Sequence, residues 1–452
     1  MPTINGVISV CSSPATAHRL LKLLLLLTLC LTVLQGGPAI TEAVVDTDGI
    51  GDFLNYYHAA VQFRHSESPY FSRQGHTPAI APRILYWNPA WGKVRIEYNY
   101  PPTFGQALIP LTYFSPPTAK QVWTAFCLVA AGIVVWMLST TAPRPQWLMV
   151  GSLALFWGLS RALVSELRHG QADLITLGFV VLSLVMTHRK HPVLAGGALA
   201  LGFLTKVTPA VFVLYFLVRR DWRALVGFVG LTSVLLTISG LVFGFGHLLT
   251  YYRDILPQWG HTQDWFGNQT IAFFVQTAFR RVADRIPGFP ASLGEPLSVI
   301  VRAAFLLAAV FAVYRVYARP SLRDARLRLI SSWGLLAVVG LLISPVSWVF
   351  VYVWVVLGAT VFVALALGPG RTWATPGFWA VFALGLAFTQ NSFEFLLPVL
   401  RTLPAWSCMG GALMVFWSLW RILGALAREA RSADHRLPQC KQCTPEVRNR
   451  GE

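Results

Sequence analysis

Asp52 is the carboxylate best placed for acid–base chemistry, because it heads a long polar stretch that follows the first apolar run of the chain. Around it lie Asp46, Asp48, Tyr56 and Tyr57, and the stretch closes on Tyr98-Asn99-Tyr100-Pro101-Pro102. One carboxylate suffices to take the proton of an attacking hydroxyl. Asp46 and Asp48 are rivals, although they sit nearer the preceding apolar run. Asp52 also reads as a helix N-cap, since Phe53 begins a helical pattern.

These residues sit in a chain built for lipid. Of its 452 residues only 12% are charged and 55% are hydrophobic, with a mean hydropathy of +0.56, whereas soluble domains carry about 25% charged residues. The sequence reads as an all-α integral membrane protein. Apolar runs approaching the ~20 residues that cross ~30 Å of hydrocarbon recur near 19–39, 120–140, 147–163, 172–187, 193–205, 208–218, 222–243, 297–317, 329–343, 349–367, 376–390 and 404–426. This predicts about twelve transmembrane helices. The alternating ten-residue strands of a membrane barrel are absent from the sequence.

The net charge of +17 follows from topology and excludes a nucleic-acid partner. With the N-terminus inside, the inner face collects Arg19, Lys22, Arg144, Arg189, Lys190, Arg219, Arg220, Arg223 and the basic residues from Arg421 onward, while most acids fall outside. The positive-inside rule then keeps both termini cytoplasmic and puts Asp52 on the outer face of the plasma membrane. Residues 1–427 form one polytopic domain with outer loops over 40–119 and 244–296, and 428–452 form a basic cytoplasmic tail. The Leu-rich segment 20–34 reads either as a first span or as a cleaved leader, and the next loop is delivered outside in both cases. Cys440-Lys441-Gln442-Cys443 is a single CxxC pair without companion ligands, an incidental feature of the tail.

Helical spacing of Phe53, Tyr56, Tyr57, Ala60 and Val61 predicts an interfacial amphipathic helix from Asp52 to Arg64. The short apolar stretch 103–114, bounded by Pro pairs, is expected to lie on the membrane surface. Two short apolar segments flank Thr205-Lys206-Val207-Thr208-Pro209, so Lys206 stands at a recessed outer apex. A cation there needs a partner, and a lipid phosphate is a natural one. In the second outer loop Tyr251, Trp259, His261, Trp265, Asn268 and Gln269 suit sugar recognition or an aromatic interfacial belt. Asn268-Gln269-Thr270 also has the N-glycosylation pattern. No Walker A or Gly-rich dinucleotide fingerprint occurs.

Several stretches together resemble the GT-C superfamily of multi-span glycosyltransferases, specifically glycosyltransferase family 87. They are Asp52-Phe53 with Tyr56-Tyr57, Tyr100-Pro101-Pro102, Gly170-Gln171, Leu194-Ala195-Gly196 through Lys206 and Pro209 to Arg219-Arg220-Asp221-Trp222, Asn268-Gln269, and Ser344-Pro345-Val346-Ser347-Trp348. The resemblance implies a GT-C-type fold and inverting transfer at the outer leaflet. The donor it implies is a polyprenyl-phosphate sugar, often mannose, and the acceptor a glycolipid or polysaccharide. It assigns the base to Asp52.

On that reading the departing lipid phosphate meets Lys206 first, with Arg280, Arg281 and His261 behind it. Tyr57, Tyr100, Gln171, Asn268, Gln269, Ser347 and Trp348 are the candidate substrate contacts. The donor enters laterally from membrane lipid, so no cofactor and no metal are called for. A transporter or flippase of lipid-linked sugars is the alternative from another class, and it would place charged residues or broken helices in the middle of several spans.

Overall fold

The computed structural model describes residues 51–70, 98–141, 146–158, 160–259, 268–318, 324–368, 370–390 and 407–436, with a two-stranded hairpin over 85–88 and 92–95 and residues 37, 38 and 41. Every apolar run expected from position 120 onward is helical, and the run at 19–39 lies outside the described residues. Among the described residues, fewer helices pass for spans by length and composition than the about twelve expected. Six described helices are long and apolar enough to cross a bilayer: Pro116–Thr140, Trp222–Phe243, Ala291–Tyr317, Ala325–Ile343, Val349–Ala366 and Ser407–Ala430. Gln146–Gly158 and Arg161–His169, bent by 66° against each other, make a seventh if taken as one span.

Length explains the difference. Asp173–His188, Pro192–Thr205, Thr208–Arg219 and Pro376–Gln390 are apolar but short, and the 14 residues of Pro192–Thr205 rise about 21 Å. Local signals set these boundaries. Proline opens Pro116–Thr140 and Pro192–Thr205, where its missing N–H is not needed. Ser160, Asp221 and Thr270 cap the following helices through their side chains, accepting from Leu163, Ala224 and Phe273 amides.

Ala325–Ile343 is the innermost element, buried from Arg328 to Leu342, with Val349–Ala366 beside it. Trp222–Phe243 is peripheral and exposes Val226, Val229, Val234, Ile238 and Leu241, an apolar face suited to acyl chains. It is joined to Pro192–Thr205 through reciprocal glycines. A Cβ on Gly196 would collide with the Ala224 carbonyl oxygen, and one on Gly227 with the Val193 carbonyl. Small residues of this kind let membrane helices approach closely.

The first long loop departs from expectation twice. The helix Phe53–Arg64 forms where the spacing put it, yet Phe53, Leu54, Tyr56, Ala59, Ala60, Gln62 and Phe63 are all buried. It is enclosed by protein on most sides instead of floating at an interface, because its aromatic side chains pack on Trp123, Phe104, Tyr98 and Phe243. Second, Leu85–Asn88 pairs antiparallel with Gly92–Arg95, with β-favouring Tyr86 opposite Val94, while the other elements among the described residues are helical. The stretch 103–114 is too short to cross, as expected, and folds as Pro102–Ala107 followed by a 3₁₀ turn over Ile109–Tyr113.

The glycine contact yields a direct expectation. Gly196→Leu should overpack the interface and destabilise the solubilised protein by about 1–3 kcal/mol, read as a lowered Tm; an unchanged Tm would contradict the close approach.

Candidate active site

Two left-handed glycines bring the site together. Helix Arg161–His169 ends at Gly170 with φ of 64°, where the Gly170 amide bonds the Leu167 carbonyl at 3.1 Å and the Gln171 amide the Glu166 carbonyl at 3.0 Å. This is the Schellman ending that favours glycine. A Cβ on Gly170 would come within 2.7 Å of Phe53 Cβ, and one on Gly51, φ 55°, within 2.9 Å of His169 Cα. The two loops therefore touch at points where only glycine fits, and Asp52 is set beside Gln171.

The Gln171 carboxamide is the hub. Its Nε2 donates to Asp52 Oδ2, and its Oε1 accepts from Tyr56 at 2.9 Å and Tyr100 at 3.1 Å. The two tyrosine hydroxyls are themselves 2.8 Å apart. Every polar atom of a buried amide is thereby satisfied, as burial requires. Asp52 makes no side-chain cap to its helix, so its carboxylate is held by the amide and not spent as an N-cap. Burial pushes the Asp52 carboxyl above the ordinary aspartate range, against the opposing pull of His169, Lys206 and the Gln171 hydrogen bond.

Lys206 stands where Pro192–Thr205 stops, its backbone extended. Its Nζ lies 2.7 Å from Asp173 Oδ2, and Asp173 Oδ1 accepts from Trp354 Nε1 at 2.8 Å. Asp173 is fully buried while the Lys206 side chain is 19% exposed, and Nζ sits 5.8 Å from the Tyr100 ring centroid, within cation–π range. The protein itself thus supplies the counter-charge expected from lipid. The amine keeps two further N–H donors. Thr103 Oγ1 donates to the Leu204 carbonyl at 2.7 Å, tying the Tyr-Pro-Pro segment to the same helix end.

The remaining candidates divide by geometry. Asn268 is buried and exchanges bonds with the loop 344–348: Nδ2 to the Pro345 carbonyl at 3.0 Å and Oδ1 from the Ser347 amide at 3.2 Å. The Gln269 amide bonds the Ser347 carbonyl at 2.8 Å, its Oε1 accepts from the Cys408 amide at 3.1 Å, and Ser347 Oγ donates to the Leu341 carbonyl at 2.9 Å. These side chains clamp one loop to another, and the buried Asn268 leaves no room for a glycan. Trp348 is half-buried and stacks on Phe350 at 6.4 Å, which in turn meets His169 at 5.8 Å. This row of rings leads to the glycine contact beside Asp52.

Tyr57 is half-buried, its hydroxyl donating to the Phe114 carbonyl at 2.9 Å. Arg280 and Arg281 occupy the last turn of Ile271–Ala283, three turns beyond Asn268. His261, Asp46 and Asp48 lie outside the described residues. Tyr56, His169, Asp173 and Trp354 complete the cluster without having been singled out as site residues. Their signal in the sequence is faint: Asp173 is an acid at the mouth of an apolar helix, and Tyr56 is one turn beyond Asp52.

The fold and site define a multi-pass membrane protein with a carboxylate, a carboxamide and a lysine gathered at the mouth of short helices. A family model described as glycosyltransferase family 87 matches residues 98–345. The chain belongs to that family, and it is a membrane glycosyltransferase. The match takes in Tyr100, Gln171, Lys206, Asn268, Gln269, Arg280 and Arg281, and stops short of Asp52, Ser347 and Trp348.

Among known proteins the chain is similar to a polyprenol-phosphate-mannose-dependent alpha-(1-2)-phosphatidylinositol mannoside mannosyltransferase of Mycolicibacterium smegmatis, 29% identical over 72% of this chain and 75% of the relative. The protein of the same description from Mycobacterium tuberculosis is 26% identical over 76% and 78%. A pentamannoside mannosyltransferase of M. smegmatis is 28% identical over 58% and 62%.

Removing one member of a buried ion pair strands the other. Lys206→Met should therefore destabilise the protein by about 3–5 kcal/mol, and Lys206→Met with Asp173→Asn should recover part of the lost Tm. Additive losses in that double-mutant cycle would show the pair to be uncoupled.

Proposed function

We propose that the chain transfers mannose or another hexose from a polyprenyl-phosphate donor to a glycolipid or polysaccharide acceptor, with inversion, on the outer leaflet of the plasma membrane. The donor class is supported by the relatives, whose descriptions name polyprenol-phosphate-mannose dependence and, for the acceptor, a phosphatidylinositol mannoside. The positive-inside distribution supports the outward orientation. The observation that carries the reading is a half-buried carboxylate, Asp52, kept free of helix capping and aimed by Gln171 beside a lysine at the end of a helix too short to cross.

In this scheme Asp52 takes the proton of the acceptor hydroxyl as its oxygen attacks the anomeric carbon. The bond from that carbon to the phosphate oxygen breaks, and polyprenyl phosphate leaves from the opposite face of the sugar. Lys206 faces the charge that develops on the leaving oxygen, with Arg280, Arg281 and His261 as further donors to the phosphate. Gln171 holds the base and is itself held by Tyr100. Tyr57 and Trp348 shape the sugar and acceptor cleft, and Asn268, Gln269 and Ser347 fix the loop that carries Trp348. No cofactor enters.

Transfer from a polyprenyl-phosphate sugar in isolated membranes tests the base. Asp52→Asn and Asp52→Ala should each lower turnover by about 10²–10⁴-fold with insertion unchanged, and normal turnover would reject the assignment.

The pH profile is an independent check. The active form is the carboxylate, and a raised pKa means protonation begins at higher pH. The acid limb of kcat/KM should therefore lie above the ~3.9 of an ordinary aspartate, and His169→Gln, which removes a group that lowers this pKa, should move it higher still.

A further inference from the structure

At the end of the bundle where Asp173–His188 finishes, about 20 Å from Lys206 along Thr208–Arg219, a second set of polar groups has no part in the reaction. Arg219 donates to the Tyr215 hydroxyl at 2.8 Å, and that hydroxyl lies 3.1 Å from Tyr317 Oη. The Arg219 guanidinium is 5.0 Å and the Arg328 guanidinium 5.9 Å from the centroid of the same Tyr317 ring. Two like charges thus share one aromatic ring.

Arg328 is the anomaly. It is only 6% exposed, its Nε has no hydrogen-bond partner, and its Nη1 reaches the Val316 carbonyl only at 3.5 Å. Positive-inside arginines ordinarily carry their heads into water; this one does not. A buried guanidinium without a counter-charge is unfavourable, so the arrangement calls for an anion.

Among the described residues the acids near this end are already engaged. Asp324, which starts the helix bearing Arg328, holds Arg371 at 2.6 Å, and Glu429 holds Arg371 at 3.0 Å and accepts from Trp373. Asp221, beside Arg219, accepts from the Ala224 amide as a helix cap.

We infer that Arg219, Arg328, Tyr215 and Tyr317 form a binding site for an anionic phosphoryl group at the end of the bundle opposite Asp52. Two guanidinium groups and the Tyr317 hydroxyl match the oxygen acceptors of phosphate, with the buried Tyr215 hydroxyl positioning Arg219 and Tyr317. The flanking surface indicates the source of that phosphate. Leu217, Phe311 and Tyr314 are 46%, 51% and 56% exposed on the two adjoining helices, an apolar wall for acyl chains beside the headgroup, as in basic pockets between membrane helices.

The test uses the full chain in nanodiscs of phosphatidylcholine alone, with phosphatidylglycerol, or with added inorganic phosphate, read by Tm and by lipid retention in native mass spectrometry. Phosphatidylglycerol should raise Tm and stay bound. Arg328→Gln and Tyr317→Phe should weaken retention about tenfold or more, while Arg223→Gln, an exposed arginine at the same end, should leave it unchanged. An equal rise with inorganic phosphate assigns the site to a free phosphoryl group, and a rise with the lipid alone assigns it to a headgroup. No rise with either probe, or the same loss in Arg223→Gln, overturns the inference. Should Arg328→Gln fail to fold, Arg219→Gln and Tyr317→Phe carry the same reading.

Discussion

The buried pair of Lys206 and Asp173 is the constraint around which the active end of the molecule is arranged. Opposite charges in a lipid-facing bundle must meet, and these two meet only if the end of Pro192–Thr205 and the start of Asp173–His188 lie side by side. Trp354 then fixes the second carboxylate oxygen from the turn that leads into Val356–Ala366. Two consecutive helices and an element 181 residues from Asp173 are thereby given one relative position, and Tyr100 is drawn over the amine.

Gln171 extends the same order toward Asp52. It stands two residues before Asp173, so whatever holds Asp173 also aims the carboxamide, and Gly170 supplies the turn that makes the spacing possible. Glu166 reinforces the turn, its carbonyl accepting from Gln171 and its side chain from the Leu174 amide at 3.1 Å. Asp52 and Lys206 are thereby carried on one scaffold, the carboxylate bonded to Gln171 and the amine paired with Asp173.

Much of this was legible from composition. The apolar runs and their Pro and Arg punctuation marked most of the described helices from position 116 to 390 to within a few residues, since those signals act locally, but not the 66° bend that divides the run 147–163. The break at Lys206 was readable too, because Thr205-Lys206-Val207-Thr208-Pro209 interrupts an apolar run with groups that need partners. Partnership across distance was not. Asp52 and Gln171 are 119 residues apart and Asp173 and Trp354 181, and nothing in spacing or hydropathy links them. The carboxamides of Asn268 and Gln269 carry the same chemistry whether they face a sugar or the backbone, so only the fold reveals that Asn268 bonds the loop 344–348 and that Gln269 accepts from the Cys408 amide.

The brevity of Pro192–Thr205 and Thr208–Arg219 has a consequence for the surrounding lipid. Helices that fall short of the hydrocarbon thickness oblige the bilayer to thin or water to descend beside them. A dimple at this point would lower the headgroup plane to the level of the amine, so that a long-chain carrier could present its phosphate without lifting its tail out of the oily interior. Membrane thickness would then tune how readily substrate docks.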